Sequence, residues 1–456
     1  MSGNNMHAER TPAGARRAGL SPAKRALLEK LAAGRHGEIA AAIPPRPSRE
    51  RAPLSFAQQR LWFLHRLDPS DPAYNIPMAF RLDGPLDVPA LERSFGGIVR
   101  RHEALRTLFA LEGDSPVQVI SPPFPVDLAP GDIGSEEEAA EYAAADGARP
   151  FDIARGPLFR ARLLRGGEDV HYLVVTVHHI VFDGWSLGVF LDELAAGYAA
   201  ELGAGPPPAP PPLQFGDFAL WQRGRLAGGE LDDQLRYWTS ALAGAPGVID
   251  IPRDTLPHPV RRGGELRTNI PPALAEGLRR LGASHGATLF MTLAAAFGLL
   301  LRKLSGAEDI LIGTAVAGRT RSEIEKLIGF FVNTIVIRVD TSGDPPFSDL
   351  LARVRQSTLG ALAHQDMPFD RLVEELRPAR AAGRSPLVQV MLALQNPPAA
   401  PPSFAGLRVR GVDVRHESAK FDLTLTVMDH PGGLDVSLEY NAAMFAPETV
   451  ERYASA

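Results

Sequence analysis

Val170-His171-Tyr172-Leu173-Val174-Val175-Thr176-Val177-His178-His179-Ile180-Val181-Phe182-Asp183-Gly184 is the stretch from which fold and chemistry are read together. Its first half is aliphatic and β-branched, as a buried strand requires. That strand runs straight into two histidines. Successive strand side chains point to opposite faces, so at most one histidine can look into a given cleft while the other packs or hydrogen-bonds behind it. Asp183 can fix a turn and orient a histidine, and Gly184 permits backbone geometry that other residues resist. A lone histidine pair is ordinarily structural; the Asp-Gly after it points to chemistry. Zinc held by His178, His179 and Asp183 is disfavoured, because opposed histidines do not easily converge on one ion, and no metal is expected.

On either side, Phe159 to Leu164 reads as a second strand across the turn Gly166-Gly167, and Trp185 to Leu202 has helical spacing. Gly184-Trp185-Ser186-Leu187-Gly188 matches the nucleophile elbow of serine hydrolases. An elbow needs a strand feeding directly into the serine, and here the strand ends earlier. Ser186 is therefore read as a helix N-cap or first-turn residue.

At 456 residues the chain is too long for one ordinary core and suggests two domains or two large lobes. Hydrophobic residues at 45% and charged residues at 22% fit a soluble globular protein. Lys plus Arg at 48 against Asp plus Glu at 53 leaves a formal charge of −5, which offers no field to nucleic acid or an anionic membrane. The absence of cysteine excludes disulfides, cysteine-held zinc and a thiol nucleophile. Leu289 to Leu301, the most apolar run, is too short to span a bilayer and reads as part of a buried helix. Met1 to Arg17 has no apolar core like that of a secretory signal, so a cytoplasmic location is expected.

Residues 1–50 read as a linker with a short helix that starts at Ser21-Pro22 and carries Leu27, Leu28 and Leu31. Ile43 to Pro53 is an extended connector, and compact structure is expected from near Leu54. An N-terminal lobe over 51–205 gives way at Gly205 to Pro212, which holds six prolines, to a C-terminal lobe over 206–456. Helices are expected over Ala90 to Arg101, Phe215 to Arg225, Leu231 to Leu242 and Thr288 to Lys303. Strands are expected over Asp309 to Val316, Asn333 to Asp340, Pro386 to Leu394, Phe421 to Met428 and Leu434 to Tyr440, and Ile328 to Val339 reads as one buried strand. The mixture lacks a regular βαβ repeat, which makes the class α/β of the α+β kind. The chain ends soon after a helix-like start at Ala446-Pro447-Glu448, so the second lobe is expected to be cut short.

His178-His179-x-x-x-Asp183-Gly184 resembles the signature of the acyltransferase superfamily shared by chloramphenicol-acetyltransferase-like enzymes and the condensation domains of nonribosomal peptide synthetases. Six further stretches resemble condensation-domain motifs in their proper order: Ser55 to Leu64, Arg101 to Phe109, Phe215 to Trp221, Ile328 to Thr334, His364 to Phe369 and Ser385 to Asn396.

The resemblance implies two chloramphenicol-acetyltransferase-like lobes in a V-shaped pseudo-dimer with a tunnel between them. It implies amide formation between a donor and an acceptor thioester, each on the 4'-phosphopantetheine arm of a carrier protein, with no cofactor of the chain's own. Donor and acceptor carrier proteins and an adenylation domain are the implied partners of a monomeric chain. His179 is the candidate base or amine anchor, supported by His178 and Asp183, with Gly184 N–H as an oxyanion donor. Arg101 or Arg106 would support this segment, Arg106 being favoured to pair with Asp183. Ser55, Gln58, Trp221 and Asn333 fall in motifs at the lobe junction and tunnel, whereas His364 reads as structural. The intact first histidine argues against a heterocyclisation domain, and Ser55 to Leu64 resembles domains that take an L-configured donor. A free-standing coenzyme A-dependent acyltransferase and a non-catalytic recruitment module are the alternatives.

Overall fold

The computed structural model describes residues 42–128, 130–254, 263–378, 384–395, 404–414 and 418–455; the helix expected from Ser21 lies outside them. In chain order the first elements are β1 (Arg51–Pro53), α1 (Phe56–Leu67), β2 (Asn75–Asp83), α2 (Val88–Arg101), β3 (Thr107–Glu112), β4 (Ser115–Ile120), β5 (Gly131–Asp132), α3 (Glu136–Gly147), β6 (Phe159–Arg165), β7 (Val170–His178) and α4 (Gly184–Glu201). After the proline-rich segment come α5 (Phe215–Ala227), α6 (Asp232–Ala241), β8 (Gly263–Ile270), α7 (Pro272–Ser284), α8 (Leu289–Ser305), β9 (Asp309–Val316), β10 (Asn333–Asp340), α9 (Phe347–Ala363) and α10 (Phe369–Leu376). The last are β11 (Val390–Gln395), β12 (Arg408–Val412), β13 (Leu423–His430), β14 (Gly433–Asn441) and α11 (Pro447–Ala454).

A five-stranded sheet, β12-β2-β7-β6-β5, forms the first lobe, and a six-stranded sheet, β10-β9-β11-β13-β14-β8, the second. β7 lies between β2 and β6, and every side chain from His171 to His178 is buried, which accounts for its unbroken apolar run. Its register pairs His178 with Asn75 and Val177 with Phe159, so the histidines emerge at the end of the sheet where β2 begins. In the second lobe, α8 starts on a Thr288 cap and stops at Gly306, whose φ of 74° is the left-handed conformation that closes helices. No single described helix is long and apolar enough to cross a membrane.

Each lobe has its own core, but the two are interlaced. Leu213, Phe215, Phe218 and Ala219, which follow the prolines, still pack into the first core, and the second is built from Leu231 onward. Packed structure also begins earlier than Leu54: buried Arg46 joins Asp217 at 2.9 Å and also pairs with Glu103. Residues of the second half return twice to the first core, as Ile324, Leu327, Ile328, Phe330 and Phe331, and again as Phe404 and Leu407. The first return overturns the single strand expected over Ile328 to Val339. Only Asn333–Asp340 is strand, because residues 328–332 leave the second sheet to bury their apolar side chains in the other lobe.

Candidate active site

The histidines take different positions, His178 on the strand and His179 just past its end. His178, last in β7, is buried, its ring edge-on to those of His65 and Phe151 at centroid distances of 6.3 and 6.1 Å. Its Nδ1 accepts the Ile180 N–H at 3.1 Å, which leaves the ring proton on Nε2. His179 opens a single 3-10 turn, His179–Val181, and is half-buried. Its backbone N–H donates to the Tyr74 carbonyl at 2.7 Å, and its Nδ1–H donates to the Phe182 carbonyl, also at 2.7 Å. A carbonyl can only accept, so this bond fixes the tautomer and leaves a lone pair on Nε2. Nε2 bonds to no other described residue. Burial, reinforced by the Lys420 charge, pushes the His179 pKa down to about 3, the Phe182 carbonyl offsetting part of the shift. His179 is thus a neutral imidazole with an available acceptor nitrogen.

Asp183 holds the turn beyond it. It is fully buried and caps α4, Oδ1 accepting the Ser186 N–H at 2.8 Å. Oδ1 also receives Arg319 Nη2 at 3.0 Å, and Oδ2 receives the Phe331 N–H at 2.9 Å. The pairing expected with Arg106 is therefore corrected: Asp183 pairs with Arg319. Arg106 instead donates to the Ser121 carbonyl at 2.7 Å, and Arg101 pairs with Glu193 on α4 at 2.8 Å. Arg101 ends α2 and Arg106 lies in the turn that follows it, and neither reaches the capping carboxylate. Nor are His178, His179 and Asp183 free to converge on zinc, since the His178 Nδ1 lone pair and both Asp183 oxygens are already engaged.

Arg319 stands in the loop between β9 and β10. Gly318, at φ 66°, turns the chain so tightly that a β-carbon there would lie 1.9 Å from the Phe331 carbonyl oxygen. The guanidinium then donates to the Ile324 and Leu327 carbonyls, both at 2.7 Å, and stacks 4.0 Å from the Phe331 ring. Fully burying an aliphatic or aromatic side chain contributes about 1.5–3 kcal/mol. A buried ion pair roughly breaks even against its desolvation. Burial of the apolar side chains on 324–331 therefore holds this loop on the first lobe, and the ion pair selects how it docks.

Ser186 sits in the first turn of α4, while the cap itself is Asp183. Its fully buried hydroxyl lies 2.7 Å from Asp183 Oδ1 and 3.0 Å from the Gly329 carbonyl, and accepts from Gly329 N–H and Arg319 Nη2 at 3.1 and 2.9 Å. A hydroxyl so enclosed is a joint between the lobes and not a nucleophile. Gly184 also departs from expectation. It has no left-handed φ, and a β-carbon there would meet nothing within 4 Å, so it leaves an open space instead of relieving strain.

Ser55 and Gln58 form a reciprocal cap on α1, each side chain accepting the other's N–H at 3.1 Å. Gln58 Nε2 then donates to the Ile180 carbonyl at 3.0 Å, tying α1 to the histidine turn. Ser55, Trp221 and Asn333 line one cavity between the lobes, together with Phe330. The Phe330 ring lies 4.8 Å from that of His179 and links this cavity to the imidazole. Asn333 donates to the Gln365 and Met367 carbonyls at 2.9 and 2.7 Å and accepts the Phe369 N–H at 3.0 Å. His364 stacks on Tyr237 at 3.8 Å and bonds the Gly360 carbonyl through Nδ1, a structural role. Sequence reasoning missed Arg319 and Lys420. The signal for Arg319 was a lone cation in Ala315-Val316-Ala317-Gly318-Arg319, just past an apolar strand. Lys420 is one of only five lysines among 48 Lys and Arg residues.

A family model described as Condensation domain matches residues 48–456. The chain is 44% identical over 449 residues to a linear gramicidin synthase of Brevibacillus parabrevis, covering 95% of this chain and 6% of that protein. The chain thus spans a small part of that synthase's length. Among solved structures it is similar to the X-domain from teicoplanin biosynthesis, with a TM-score of 0.84 and 31% identity over 91% of this chain and 95% of that one. A complex of that X-domain with OxyB gives a TM-score of 0.82 and 31% identity, over 91% and 93% of the two chains.

Proposed function

The chain belongs to the condensation-domain family, and from that premise we propose that it joins a donor acyl or peptidyl thioester to an acceptor aminoacyl thioester, each on the phosphopantetheine arm of a carrier protein. The observation that carries this reading is the His179 imidazole, neutral, with its Nδ1–H locked onto Phe182 and Nε2 left available beside the inter-lobe cavity. An α-amino group has a reference pKa of about 8, so part of the acceptor is already nucleophilic near neutral pH. Nε2 receives a hydrogen bond or a proton from that nitrogen as it attacks. Such help is typically worth about 10²–10⁴-fold, and holding the two thioesters together in the chamber supplies much of the rest. Gly184 N–H, in the first turn of α4 where backbone N–H groups lack helical acceptors, is available to the developing oxyanion.

Carrier proteins on both sides, an adjoining adenylation domain, an L-configured donor, a cytoplasmic setting and a monomeric chain are parts of the same proposal. The likeness to a domain solved in complex with OxyB favours one second reading, a docking module for another enzyme. Dipeptidyl-carrier formation from loaded donor and acceptor carriers, with and without His179→Ala, separates the two. Loss of about 10²-fold or more in the variant is expected; an undiminished rate sinks the role of His179, and no product from the unaltered chain favours the docking module.

A further inference from the structure

One cation from the opposite lobe stands beside the histidine turn. Lys420 lies on the segment that leads from the first lobe back to β13, and its Nζ sits 5.6 Å from the centroid of the Tyr74 ring. Tyr74 is also the residue whose carbonyl receives the His179 N–H at 2.7 Å, so the ammonium stands at the side of the catalytic turn. Burial lowers the pKa of both histidines, and the Lys420 charge adds to that lowering. The backbone beneath it is tightly packed. A β-carbon on Gly263 of β8 would lie 2.5 Å from the Ser418 carbonyl carbon and 2.8 Å from Ala419 N, so only a glycine lets the strand approach this closely.

Among the described residues, half-buried Lys420 nevertheless has no ion-pair or hydrogen-bond partner for its ammonium. The nearby Glu439 carboxylate instead accepts the Lys420 backbone N–H, and burial holds the ammonium below the usual lysine range. An unpaired desolvated charge is costly, and such groups are retained where a ligand supplies the missing partner. Most of the chain's cations are arginine, and lysine differs in presenting a compact point charge with three donors.

We propose that Lys420 is a substrate-binding group of the reaction chamber, its ammonium donating a hydrogen bond to the carbonyl oxygen of the donor thioester while His179 Nε2 engages the acceptor amine. This rests on the amide-forming reading above. As the amine lone pair forms the C–N bond, the carbonyl electron pair moves onto oxygen, where the ammonium stabilises it. When that pair returns, the C–S bond breaks, the sulfur leaves as thiolate, and the proton lost by the amine, relayed through His179, neutralises it. Lys420 keeps its own proton throughout. The second lobe thus contributes a cation to the oxyanion beside the Gly184 N–H, and the first lobe an acceptor for the amine.

The test exploits the absence of cysteine. Lys420→Met, Lys420→Cys, His179→Ala and the unaltered chain are compared in single-turnover dipeptide formation, using whichever pair from a panel of carrier-loaded amino acids the unaltered chain joins. Lys420→Cys is also alkylated with 2-bromoethylamine, which restores an amine of lysine length at that one site, or with iodoacetamide, which adds a neutral amide. A loss of about 10²-fold in Lys420→Met is expected, the scale of removing one oxyanion donor. Bromoethylamine should restore at least tenfold, and iodoacetamide none. The thermal midpoint of Lys420→Met should match or exceed that of the unaltered chain, because an unpaired charge has been removed. Turnover by Lys420→Met within twofold of the unaltered chain, with His179→Ala inactive, overturns the inference alone. Equal recovery by the two reagents, or none by either, overturns it as well. An undiminished His179→Ala overturns the part given to His179, and this inference with it, while amide formation stands; no product from any pair overturns the amide-forming reading itself.

Discussion

Opposite substitutions at Asp183 and Arg319 should behave very differently alone and together. Both side chains are fully buried, 3.0 Å apart. Asp183→Ala leaves the guanidinium with its two carbonyl acceptors but no counter-charge, and strands the Phe331 N–H; Arg319→Met leaves a carboxylate that keeps its N–H donors but loses its cation. Breaking one partner of a buried pair costs about 3–5 kcal/mol, which near room temperature lowers the folding constant by roughly 10²- to 10⁴-fold. In the double variant no buried charge is left unpaired. Its total cost should therefore stay near that of one single substitution, about 3–5 kcal/mol, and not the additive 6–10 kcal/mol, a coupling of about 3 kcal/mol or more. Urea unfolding of the four proteins, followed by tryptophan fluorescence, measures the cycle. Trp185, whose indole donates to the Glu325 carbonyl at 2.8 Å, reports directly on the docked loop. Additive costs, or single-variant costs below about 1 kcal/mol, would refute the argument that this pair selects how the loop docks.

Two further outcomes follow from the same geometry. The pKa values of His178 and His179 are each pushed down to about 3 from 6.5, so between those pH values the unfolded chain binds protons that the folded chain does not. Stability should then be unaffected by these groups above pH 6.5 and fall as pH drops below it, with up to about 1.4 kcal/mol per pH unit from each histidine. Denaturant midpoints from pH 7 to 4.5, compared with His178→Asn/His179→Asn, check this; equal slopes in the two proteins would contradict it. Asn333→Ala removes two donors and one acceptor from the 365–369 turn and should cost about 2–3 kcal/mol, whereas Asn333→Asp sets a carboxylate against two carbonyls and should cost more. Chemical denaturation gives the order, and the reverse order would exclude the bonding scheme.

What the sequence could show was whatever is written in local spacing. The β9 strand Asp309–Val316 and the β10 strand Asn333–Asp340 have the bounds expected from their aliphatic runs, and Ser186 lies in the first turn of α4, one of the two places expected for it, while the cap is Asp183. His178 and His179 differ as alternation predicts, but the reason is that β7 ends at His178 and His179 opens the 3-10 turn beyond it. β2 escaped because Pro77 argues against a strand paired on both sides. The structure accommodates it where β12, which pairs only with Ala79 to Asp83, has already ended, so no neighbour needs the missing N–H. Arg319 lies 136 residues from Asp183, and no local pattern declares such a pairing. Arg106 was the nearer guess, but its guanidinium is held by the Ser121 carbonyl. Lys420 escaped for the same reason: its significance comes from Tyr74, which only the folded chain brings near.

β12, supplied by residues 408–412, completes the sheet that β2 and β7 began. During synthesis the first lobe must therefore wait, with the edge of β2 unpaired, until residues 408–412 have been made. An exposed strand edge invites pairing with other chains. Cutting the chain after the proline-rich segment would make that wait permanent: each half would keep most of its own core, but the first would lack both its edge strand and the loop that brings Arg319 to Asp183. For anyone grafting or exchanging such units, the smallest transferable piece is the pair of lobes together.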